Sequence, residues 1–361
     1  MDELGLMKKA LELAEKGNGS VSPNPMVGAV IVKDGQIIGE GYHRKYGEAH
    51  AEINAINQAG AENCKNAVLF VTLEPCAHEG KTPPCVEAVI KAGFHRVIIG
   101  MTDPNPLTDG RSISKMMEAG IKVDVGVMEA EVHRQNEAFI KYITSGMPFV
   151  TIKIAQTVDA RIADINNQSH WITGEKSRQF VHKLRHQADA ILIGGRTALL
   201  DNPSLTVRHV EGTDPYRIIL STRETLPENL KIFAKNDDQR TIVASTSELI
   251  AEYNKIDNLK IWQIDKYESG RLNLGQVLIK AAKEKIANIL VEGGSRLFSE
   301  MLKRKFVDKV YISIAPRILG EGVPAFEKLG IDSIEHSIEL TNIDYSQKGD
   351  DVWMMGYPVW K

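Results

Sequence analysis

The residues with the clearest chemical potential surround the segment GEAHAEINAI, residues 47–56. His50 and Glu52 stand two residues apart, where the sequence predicts that a helix begins. Cys76 and Cys85 follow 26 and 35 residues after His50. One imidazole nitrogen and two thiolates suit Zn²⁺ and leave its fourth position open, which predicts one ion per chain. A glutamate that lies next to the ion, but is not a ligand, can carry protons.

Other interpretations of the two cysteines are open at this point. They are either small apolar core residues or part of a closed structural zinc site, which needs a fourth Cys or His ligand. The candidates for that ligand are Cys64, His43 and His78. The combined order H-A-E, E-P-C and P-P-C favours catalysis, because H-x-E followed by P-C and a further cysteine is typical of zinc deaminases.

The elements that must position these residues predict an α/β layer domain over residues 1–146. Two apolar runs around Asp34 and Gly35 predict a β-hairpin. HAEINAINQAG predicts a short helix, AVLFVTLEPC a strand, and PCVEAVIKAG a helix that begins at proline and ends at glycine. At the N-terminus, helical spacing places Leu4, Met7, Leu11 and Ala14 on one face.

The alternation of predicted helices and strands is interrupted around Gly146 and Pro148 and then starts again. A second α/β domain is therefore predicted over residues 147–361. No G-x-G-x-x-G follows its first strand, which begins at Phe149. AILIGGRTALL and NILVEGGSRLF instead give two strand–glycine–helix junctions, where free backbone N–H groups favour phosphate. The alternative for each junction is a tight turn.

Bulk composition limits the classes of function. The 361 residues are 43% apolar and 25% charged, with a formal charge of −3, which fits a soluble protein rather than one that binds nucleic acid. No segment approaches a membrane span of about 18 apolar residues. Three cysteines do not indicate a disulfide framework, so we expect a cytoplasmic protein.

Four segments of the first domain carry a family resemblance. NPMVGAVIV, GYHRKYGEAHAE, VTLEPCAHEGKTPPC and MTDPNP resemble the deaminase half of the bifunctional riboflavin-biosynthesis deaminase/reductases. The resemblance implies a cytidine-deaminase-like three-layer α/β/α fold and hydrolytic deamination of a diaminopyrimidinone ribosylamino 5′-phosphate. It also implies substrate contacts for Asn24, His43, His78, Lys81, Asp103 and Asn105.

The second domain resembles the reductase half of the same family. Its most specific segment is DNPSLTVR at residues 201–208, and the resemblance implies a dihydrofolate-reductase-like α/β fold that uses NADPH. The implied reaction-site residues are Lys153, Asp201 and Glu292. The implied substrate contacts are Ser169, Arg185, Leu205, Arg208 and Glu292. The implied cofactor contacts are Ala155, Ser169, Trp171, Thr197, Asp201, Thr222, Gly294 and Ser295.

The second domain departs from the family pattern at three positions. Ala160 replaces a turn glycine, and Ser221 replaces an acidic residue. The segment that begins at Arg196 reads RTALL, where the family usually has the sequence GTV. The resemblance also implies a homo-oligomer that pairs through the reductase domain. The competing hypothesis is a zinc deaminase for another nucleotide or for nucleic acid, with the second domain a binding or assembly module; the acidic balance and 6% aromatic content count against it.

Overall fold

The computed structural model describes residues 2–77, 83–106, 108–222, 226–256 and 258–360. The chain divides into two compact units, Met1–Met147 and Pro148–Lys361. The sequence placed this boundary one residue earlier, between 146 and 147. Within the described ranges, no helix is long and apolar enough to span a membrane.

The first unit is built on one five-stranded sheet in the order β2-β1-β3-β4-β5. Its elements are α1 (Glu3–Glu15), β1 (Gly28–Lys33), β2 (Gln36–Tyr42), α2 (Ala51–Ala59), a 3-10 turn (Ala61–Cys64), β3 (Val68–Leu73), α3 (Cys85–Ala92), β4 (Arg96–Met101), α4 (Arg111–Glu118), β5 (Lys122–Val125), α5 (Glu129–Gln135) and α6 (Glu137–Ser145). β1 runs antiparallel to β2 and β3, whereas β3, β4 and β5 are parallel. The hairpin predicted around Asp34–Gly35 is therefore confirmed.

Successive strand residues point to opposite faces of this sheet, and this alternation creates the three layers. Val30, Phe70 and Ile98 pack against α1 in one apolar cluster. Their strand neighbours, including Ile31 and Val71, belong to a second cluster that also contains residues of α2 and α3. The expected α/β/α architecture is confirmed, and it leaves the starts of α2 and α3 on the same side of the sheet.

The predicted apolar face of α1 was partly wrong. Leu4 is 62% exposed, and the buried residues of the helix are Leu6, Met7, Ala10, Leu13 and Ala14. The reason is a close approach to β1, since a Cβ at Gly28 would lie 1.9 Å from the carbonyl oxygen of Ala10. Helix and strand backbones therefore touch at Gly28, and this contact sets the rotation of α1.

The second unit contains the remaining elements of the described chain. They are β6 (Phe149–Thr157), β7 (Arg161–Ala163), α7 (Glu175–Gln187), β8 (Ala190–Gly194), α8 (Gly195–Asp201), β9 (Tyr216–Ser221), α9 (Lys231–Ala234), β10 (Thr241–Ser245), α10 (Ser247–Tyr253), β11 (Lys260–Gln263), α11 (Leu274–Lys283), β12 (Asn288–Val291), α12 (Ser295–Lys303), β13 (Lys309–Ala315), β14 (Val323–Pro324), β15 (Glu339–Lys348) and β16 (Asp351–Val359). Nine strands form one sheet in the order β11-β10-β9-β8-β12-β6-β13-β16-β15.

The register of this sheet determines where two predicted reaction-site residues, Lys153 and Glu292, lie along their strands. Val291 on β12 pairs with Ile152 on β6 and with Leu192 on β8, and all three strands are parallel. Lys153, in the middle of β6, and Glu292, directly after β12, therefore follow paired positions on neighbouring strands. Apolar clusters cover both faces, with α7 and Trp353 on one side and α8, α9 and α10 on the other. The antiparallel pair β15–β16 at the C-terminus was not predicted.

Candidate active sites

The predicted metal ligands of the first unit converge. His50 precedes α2 as its N-terminal cap, Cys76 follows β3, and Cys85 is the first residue of α3. His50 Nδ1 lies 3.6 Å from the Cys76 sulfur and 3.2 Å from the Cys85 sulfur. The three potential ligand atoms all lie within 4.8 Å of one another, which is the spacing of ligands around a single ion.

The protonation of the two thiols fits a metal ligand set. Hydrogen bonding from Cys85 lowers the pKa of Cys76 to about 4, with a further contribution from His50. Part of this support is the backbone, because the Cys85 N–H at the start of α3 donates to the Cys76 sulfur at 3.2 Å. The shared proton and burial raise the pKa of Cys85. A metal ion must displace that proton, since only the thiolate is a ligand.

Two of the candidates for a fourth protein ligand are occupied elsewhere. The Cys64 sulfur donates to the carbonyl oxygen of Gly60 at 3.5 Å. Both ring nitrogens of His43 have hydrogen-bond partners, namely Ala49 and Asn24. His78, the third candidate, lies outside the described residues. The described part of the chain therefore gives a three-ligand group rather than a closed four-ligand one.

Glu52 lies one residue inside α2 and is only 2% exposed. Within the described ranges, its Oε2 atom is buried without a hydrogen-bond partner. Burial raises the pKa of this carboxyl to about 7, although the His50 charge acts in the opposite direction. A buried oxygen without a partner next to a metal-ligand group is the position expected of a proton carrier.

Asn24 and His43 form a hydrogen-bonded pair beside this group. The His43 ring is 5.0 Å from the His50 ring, and its Nδ1 lies 3.2 Å from the carbonyl oxygen of Ala49. A carbonyl only accepts, so Nδ1 carries the proton and Nε2 is the acceptor. Nε2 therefore accepts from Asn24 Nδ2 at 3.2 Å, which orients the amide oxygen of Asn24 away from His43. Burial lowers the pKa of His43 and favours this neutral form.

The turn that carries Asp103 and Asn105 is held by a residue that the sequence did not single out. Glu74, two residues before Cys76, is 3% exposed. Its Oε2 accepts the backbone N–H of Asp103 at 3.2 Å and of Gly110 at 3.0 Å. Its Oε1 accepts from the N–H and hydroxyl of Ser112 at 3.1 and 2.6 Å. The carboxylate thus connects the metal-ligand loop to the predicted substrate-binding turn.

Not every residue predicted to bind substrate in the first unit can be placed. His78 and Lys81 lie outside the described residues, so their roles stay predictions. Asp103 and Asn105 follow β4, and Asp103 Oδ1 accepts the backbone N–H of Asn105 at 3.0 Å.

In the second unit the structure brings Lys153, Arg185 and Glu292 together. Arg185 on α7 donates to both carboxylate oxygens of Glu292, at 2.6 and 2.9 Å. Burial lowers the pKa of Lys153, whereas the Glu292 charge acts to raise it. Burial alone would raise the pKa of Glu292, but Arg185 and then Lys153 lower it, so this carboxylate is ionised. The Glu292 carboxylate therefore balances the positive charges of both Arg185 and Lys153.

Ser169 and Asp201, each selected from the family resemblance, are in contact in the structure. The Ser169 hydroxyl donates to Asp201 Oδ1 at 3.0 Å. Burial raises the pKa of Asp201 despite this hydrogen bond. Trp171 is not a core residue, because it is 61% exposed, and the Arg178 guanidinium lies 4.2 Å from its ring centre.

Leu205 and Arg208 belong to an irregular loop after α8. Leu205 is buried and has φ +53°, a backbone conformation that is uncommon for leucine. The side chain of Arg208 is exposed, while its backbone N–H donates to Nδ1 of His182 at 3.1 Å. His182 is a buried residue of α7 that the sequence reasoning did not select.

Several of the predicted nucleotide-binding residues lie where parallel strands end. A Cβ at Gly294, after β12, would lie 3.9 Å from the hydroxyl of Thr197 in α8, so the two glycine junctions are neighbours. Ser295 begins α12, and its hydroxyl is buried with no hydrogen-bond partner among the described residues. A buried free hydroxyl at a helix N-terminus fits a phosphate group. Ala155 and Thr222 lie on β6 and directly after β9.

The departures from the family pattern have structural counterparts. Ala160 has φ +59°, so it occupies a left-handed conformation that glycine adopts without strain. Ser221 is 2% exposed, and its hydroxyl accepts from Tyr253 Oη at 2.7 Å. The serine therefore takes part in the packing of β9 against α10.

Sequence comparison classifies both units. Residues 2–101 match the model of the cytidine and deoxycytidylate deaminase zinc-binding region, and residues 148–353 match that of the RibD C-terminal domain. Together with the fold and the ligand group, these matches define a two-domain deaminase–reductase. Its domains imply Zn²⁺ and NADPH as cofactors.

Whole-chain relatives identify the family. The chain is 43% identical to the riboflavin biosynthesis protein RibD of Aquifex aeolicus, over 96% of each chain. It is 38% identical to RibD of Bacillus amyloliquefaciens, over 96% of this chain and 98% of that one. The protein belongs to the RibD family of bifunctional deaminases and reductases.

Solved structures agree with this family. RibD of Acinetobacter baumannii superposes with a TM-score of 0.89 at 34% identity, covering 99% of both chains. A Thermotoga maritima protein, a diaminohydroxyphosphoribosylaminopyrimidine deaminase/5-amino-6-(5-phosphoribosylamino)uracil reductase, gives a TM-score of 0.87 at 38% identity, over 99% of this chain and 98% of that one. The competing hypothesis of a nucleic-acid deaminase with a C-terminal binding module is not favoured.

Proposed function

We propose that the first unit deaminates 2,5-diamino-6-ribosylamino-4(3H)-pyrimidinone 5′-phosphate and that the second unit then reduces its ribosyl group to ribityl with NADPH. The observation that carries this proposal is the His50–Cys76–Cys85 group with the unpartnered carboxylate oxygen of Glu52 beside it. The printed activity of the Thermotoga maritima relative supports the choice of substrate.

His50, Cys76 and Cys85 would hold the zinc ion, since one imidazole and two thiolates fit its preferences. When bound, zinc supplies Lewis acidity and lowers the pKa of water. Glu52 would take up a proton at Oε2 from the attacking water and deliver it to the leaving amino nitrogen, as the new C–O bond forms and the C–N bond breaks. Glu52 is only 2% exposed, so bulk water has little access to its carboxyl group.

Two groups of residues in the first unit would bind the substrate, namely Asn24 beside His43 and the turn that carries Asp103 and Asn105. Asn24 would accept an N–H group of the pyrimidinone through its amide oxygen, because its amide nitrogen is committed to His43. Asp103 and Asn105 would contact the substrate from the turn that Glu74 holds. His78 and Lys81 complete the proposed set, with Lys81 a contact for the phosphate.

Reduction in the second unit requires a proton and a fixed sugar chain. Bound NADPH supplies the hydride. Lys153 would donate a proton from Nζ to the imine nitrogen of the opened ribose as C1′ is reduced. Glu292 holds Arg185 in place and balances both cations. Asp201, oriented by Ser169, is the third reaction-site residue.

Cofactor and substrate would occupy neighbouring positions at the sheet edge. Ala155, Thr197, Thr222, Gly294 and Ser295 would contact the nucleotide, and the free hydroxyl of Ser295 supports a phosphate at the start of α12. The exposed ring of Trp171 and the hydroxyl of Ser169 would border the nicotinamide, with Asp201 next to them. The substrate phosphate would bind near Arg185, Leu205 and Arg208.

Location and assembly belong to the same proposal. A cytoplasmic location is supported by the three free cysteines, two of which are buried, because reduced thiols fit a reducing compartment. A homo-oligomer through the second unit is supported by β15, an edge strand of the nine-stranded sheet that exposes Tyr345. Sedimentation of the whole chain tests the assembly, and a monomer at micromolar concentration would contradict it.

Incubation of the whole protein with the diaminopyrimidinone phosphate tests the function. Without NADPH we expect release of one ammonia per substrate and a product that keeps its ribosyl group. With NADPH we expect the ribityl product and one NADPH consumed per turnover. Absence of ammonia release by zinc-loaded protein would reject the deaminase assignment, and absence of NADPH oxidation on the deaminated product would reject the reductase assignment.

A further inference from the structure

We propose that His182 is a positioning residue of the reductase site, which holds the loop at residues 204–208 so that Leu205 and Arg208 face a phosphorylated substrate. The inference rests on the proposed reductase function and adds a residue to it. His182 does not contact the reacting atoms in this scheme; it acts through the backbone of Arg208.

The contact that carries the inference joins a helix to an irregular loop. His182 lies on α7 and is 5% exposed. Its Nδ1 accepts the backbone N–H of Arg208 at 3.1 Å, while the Arg208 side chain is exposed. The contact therefore fixes the base of the side chain and leaves the guanidinium available for an anion.

The tautomer of His182 follows from this contact. An acceptor nitrogen carries no proton, so Nδ1 is bare and the neutral ring has its proton on Nε2. Burial lowers the pKa of His182 to about 4, and the charge of Arg185 lowers it further in the same direction. The ring is therefore neutral at physiological pH, and the acceptor is always present.

Two more side chains hold the same loop by its backbone. Asp214 Oδ1 accepts the N–H of Val207 at 2.7 Å, and Arg185 Nη1 donates to the carbonyl oxygen of Thr206 at 3.3 Å. The path of residues 206–208 thus depends on side-chain partners rather than on a helix or strand. An irregular backbone with specific polar partners is held in one conformation only while those partners remain.

His182 and Arg185 act from one face of α7, because residues three apart on a helix are neighbours. Arg185 also binds both oxygens of Glu292. The loop that carries the proposed phosphate contacts and the carboxylate at the reaction site are therefore connected through one helical turn. This connection gives His182 a role in substrate affinity rather than in the chemical step.

Two amide substitutions test the role of the acceptor position. In His182→Asn the amide oxygen can occupy the place of Nδ1, whereas in His182→Gln the amide lies one carbon further out, near the place of Nε2. We expect His182→Gln to raise the KM for the deaminated substrate about tenfold, the usual effect of leaving one partly buried N–H unsatisfied, with kcat changed less than about threefold. His182→Asn should keep KM within about threefold of the natural protein.

Two controls separate this effect from general damage. His186 accepts the N–H of Thr213 one turn further along α7, outside the 204–208 loop, so His186→Gln should leave the reductase KM within about threefold. Ammonia release by the first unit should be unchanged in all three variants, because the substitutions lie in the second unit, and an unchanged reductase kcat reports that the second unit has folded.

The outcomes are distinct. Equal KM values for the Asn and Gln variants, or a loss confined to kcat, would overturn the positioning role of His182. If the natural protein does not oxidise NADPH with the deaminated substrate, the reductase assignment itself is overturned. A raised KM in the Gln variant, with recovery in the Asn variant, supports the inference over a merely structural role.

Discussion

The guanidinium of Arg185 and the carboxylate of Glu292 form a bidentate ion pair, with Nε–Oε1 and Nη2–Oε2 distances of 2.6 and 2.9 Å. Both side chains are largely buried, with 12% and 14% exposure, and Lys153 is a second cation next to the same carboxylate. Loss of the anion would leave two cations in a poorly hydrated position, which is more costly than loss of an exposed ion pair.

Glu292→Gln is therefore expected to abolish reduction and to lower the free energy of unfolding of the second unit by about 3 kcal/mol. Urea denaturation and NADPH oxidation measure the two effects. The control is Glu252→Gln, which removes an exposed pair with Lys255 and should cost less than about 0.5 kcal/mol. Equal destabilisation by both substitutions would contradict the importance of burial.

Glu52→Gln is expected to retain zinc and the fold but to reduce the rate of ammonia release by about 10² to 10⁴, the usual contribution of a general acid–base. The amide has the shape of the carboxyl group but cannot move a proton. Zinc content and ammonia release are measured together, with the exposed Glu62→Gln as the control. Residual deamination above about one tenth of the natural rate would reject the proton-carrying role.

Cys85→Ser is expected to release zinc from the first unit while NADPH oxidation by the second unit persists. Serine does not ionise at neutral pH, so the substitution removes one of two thiolates. Metal analysis of the purified chain should fall from about one zinc to well below one. Cys64→Ser is the matched control, because Cys64 donates to Gly60 and is outside the ligand group; loss of zinc there would contradict the assignment.

Ala160→Gly is expected to stabilise the second unit by about 0.5–1 kcal/mol. The left-handed conformation costs an alanine about 1–2 kcal/mol, of which the greater chain entropy of an unfolded glycine offsets part. Ala251→Gly, in the exposed middle of α10, should instead destabilise by about 1 kcal/mol. Thermal unfolding of both variants measures the two changes in Tm, which should have opposite signs. A decrease in Tm for Ala160→Gly would refute the backbone strain at that turn.

Local sequence signals predicted much of the fold. Gly60 and Gly93 ended their helices as expected, and the hairpin at Asp34–Gly35 formed, because each depends on a few adjacent residues. The β15–β16 pair was missed, since most of β15 is exposed and lacks the apolar alternation of a buried strand. The face of α1 was misjudged because it depends on Gly28, which is distant in sequence.

The proposed sites show the same division. Residue type and the combined order H-A-E, E-P-C and P-P-C selected His50, Cys76 and Cys85, because few residue types serve as zinc ligands. Glu74 and His182 gave no such signal, as their role is to accept backbone N–H groups from loops far along the chain. The only local signal for Glu74 is its position between a strand and a metal ligand. The role of His182 can be recognised only once the three-dimensional path of the 204–208 loop is known.

The hydrogen bonds between Glu74 and the turn at residues 103–112 affect how the substrate range of this protein can be redesigned. The carboxylate accepts the backbone N–H groups of Asp103 and Gly110 and both polar groups of Ser112. Exchange of Asn105, a proposed substrate contact, keeps the groups that make these hydrogen bonds and therefore offers a route to altered pyrimidine selectivity. Exchange of Glu74 would instead disturb the turn and the Cys76 loop at once, so a library of specificity variants should vary the former and leave the latter fixed.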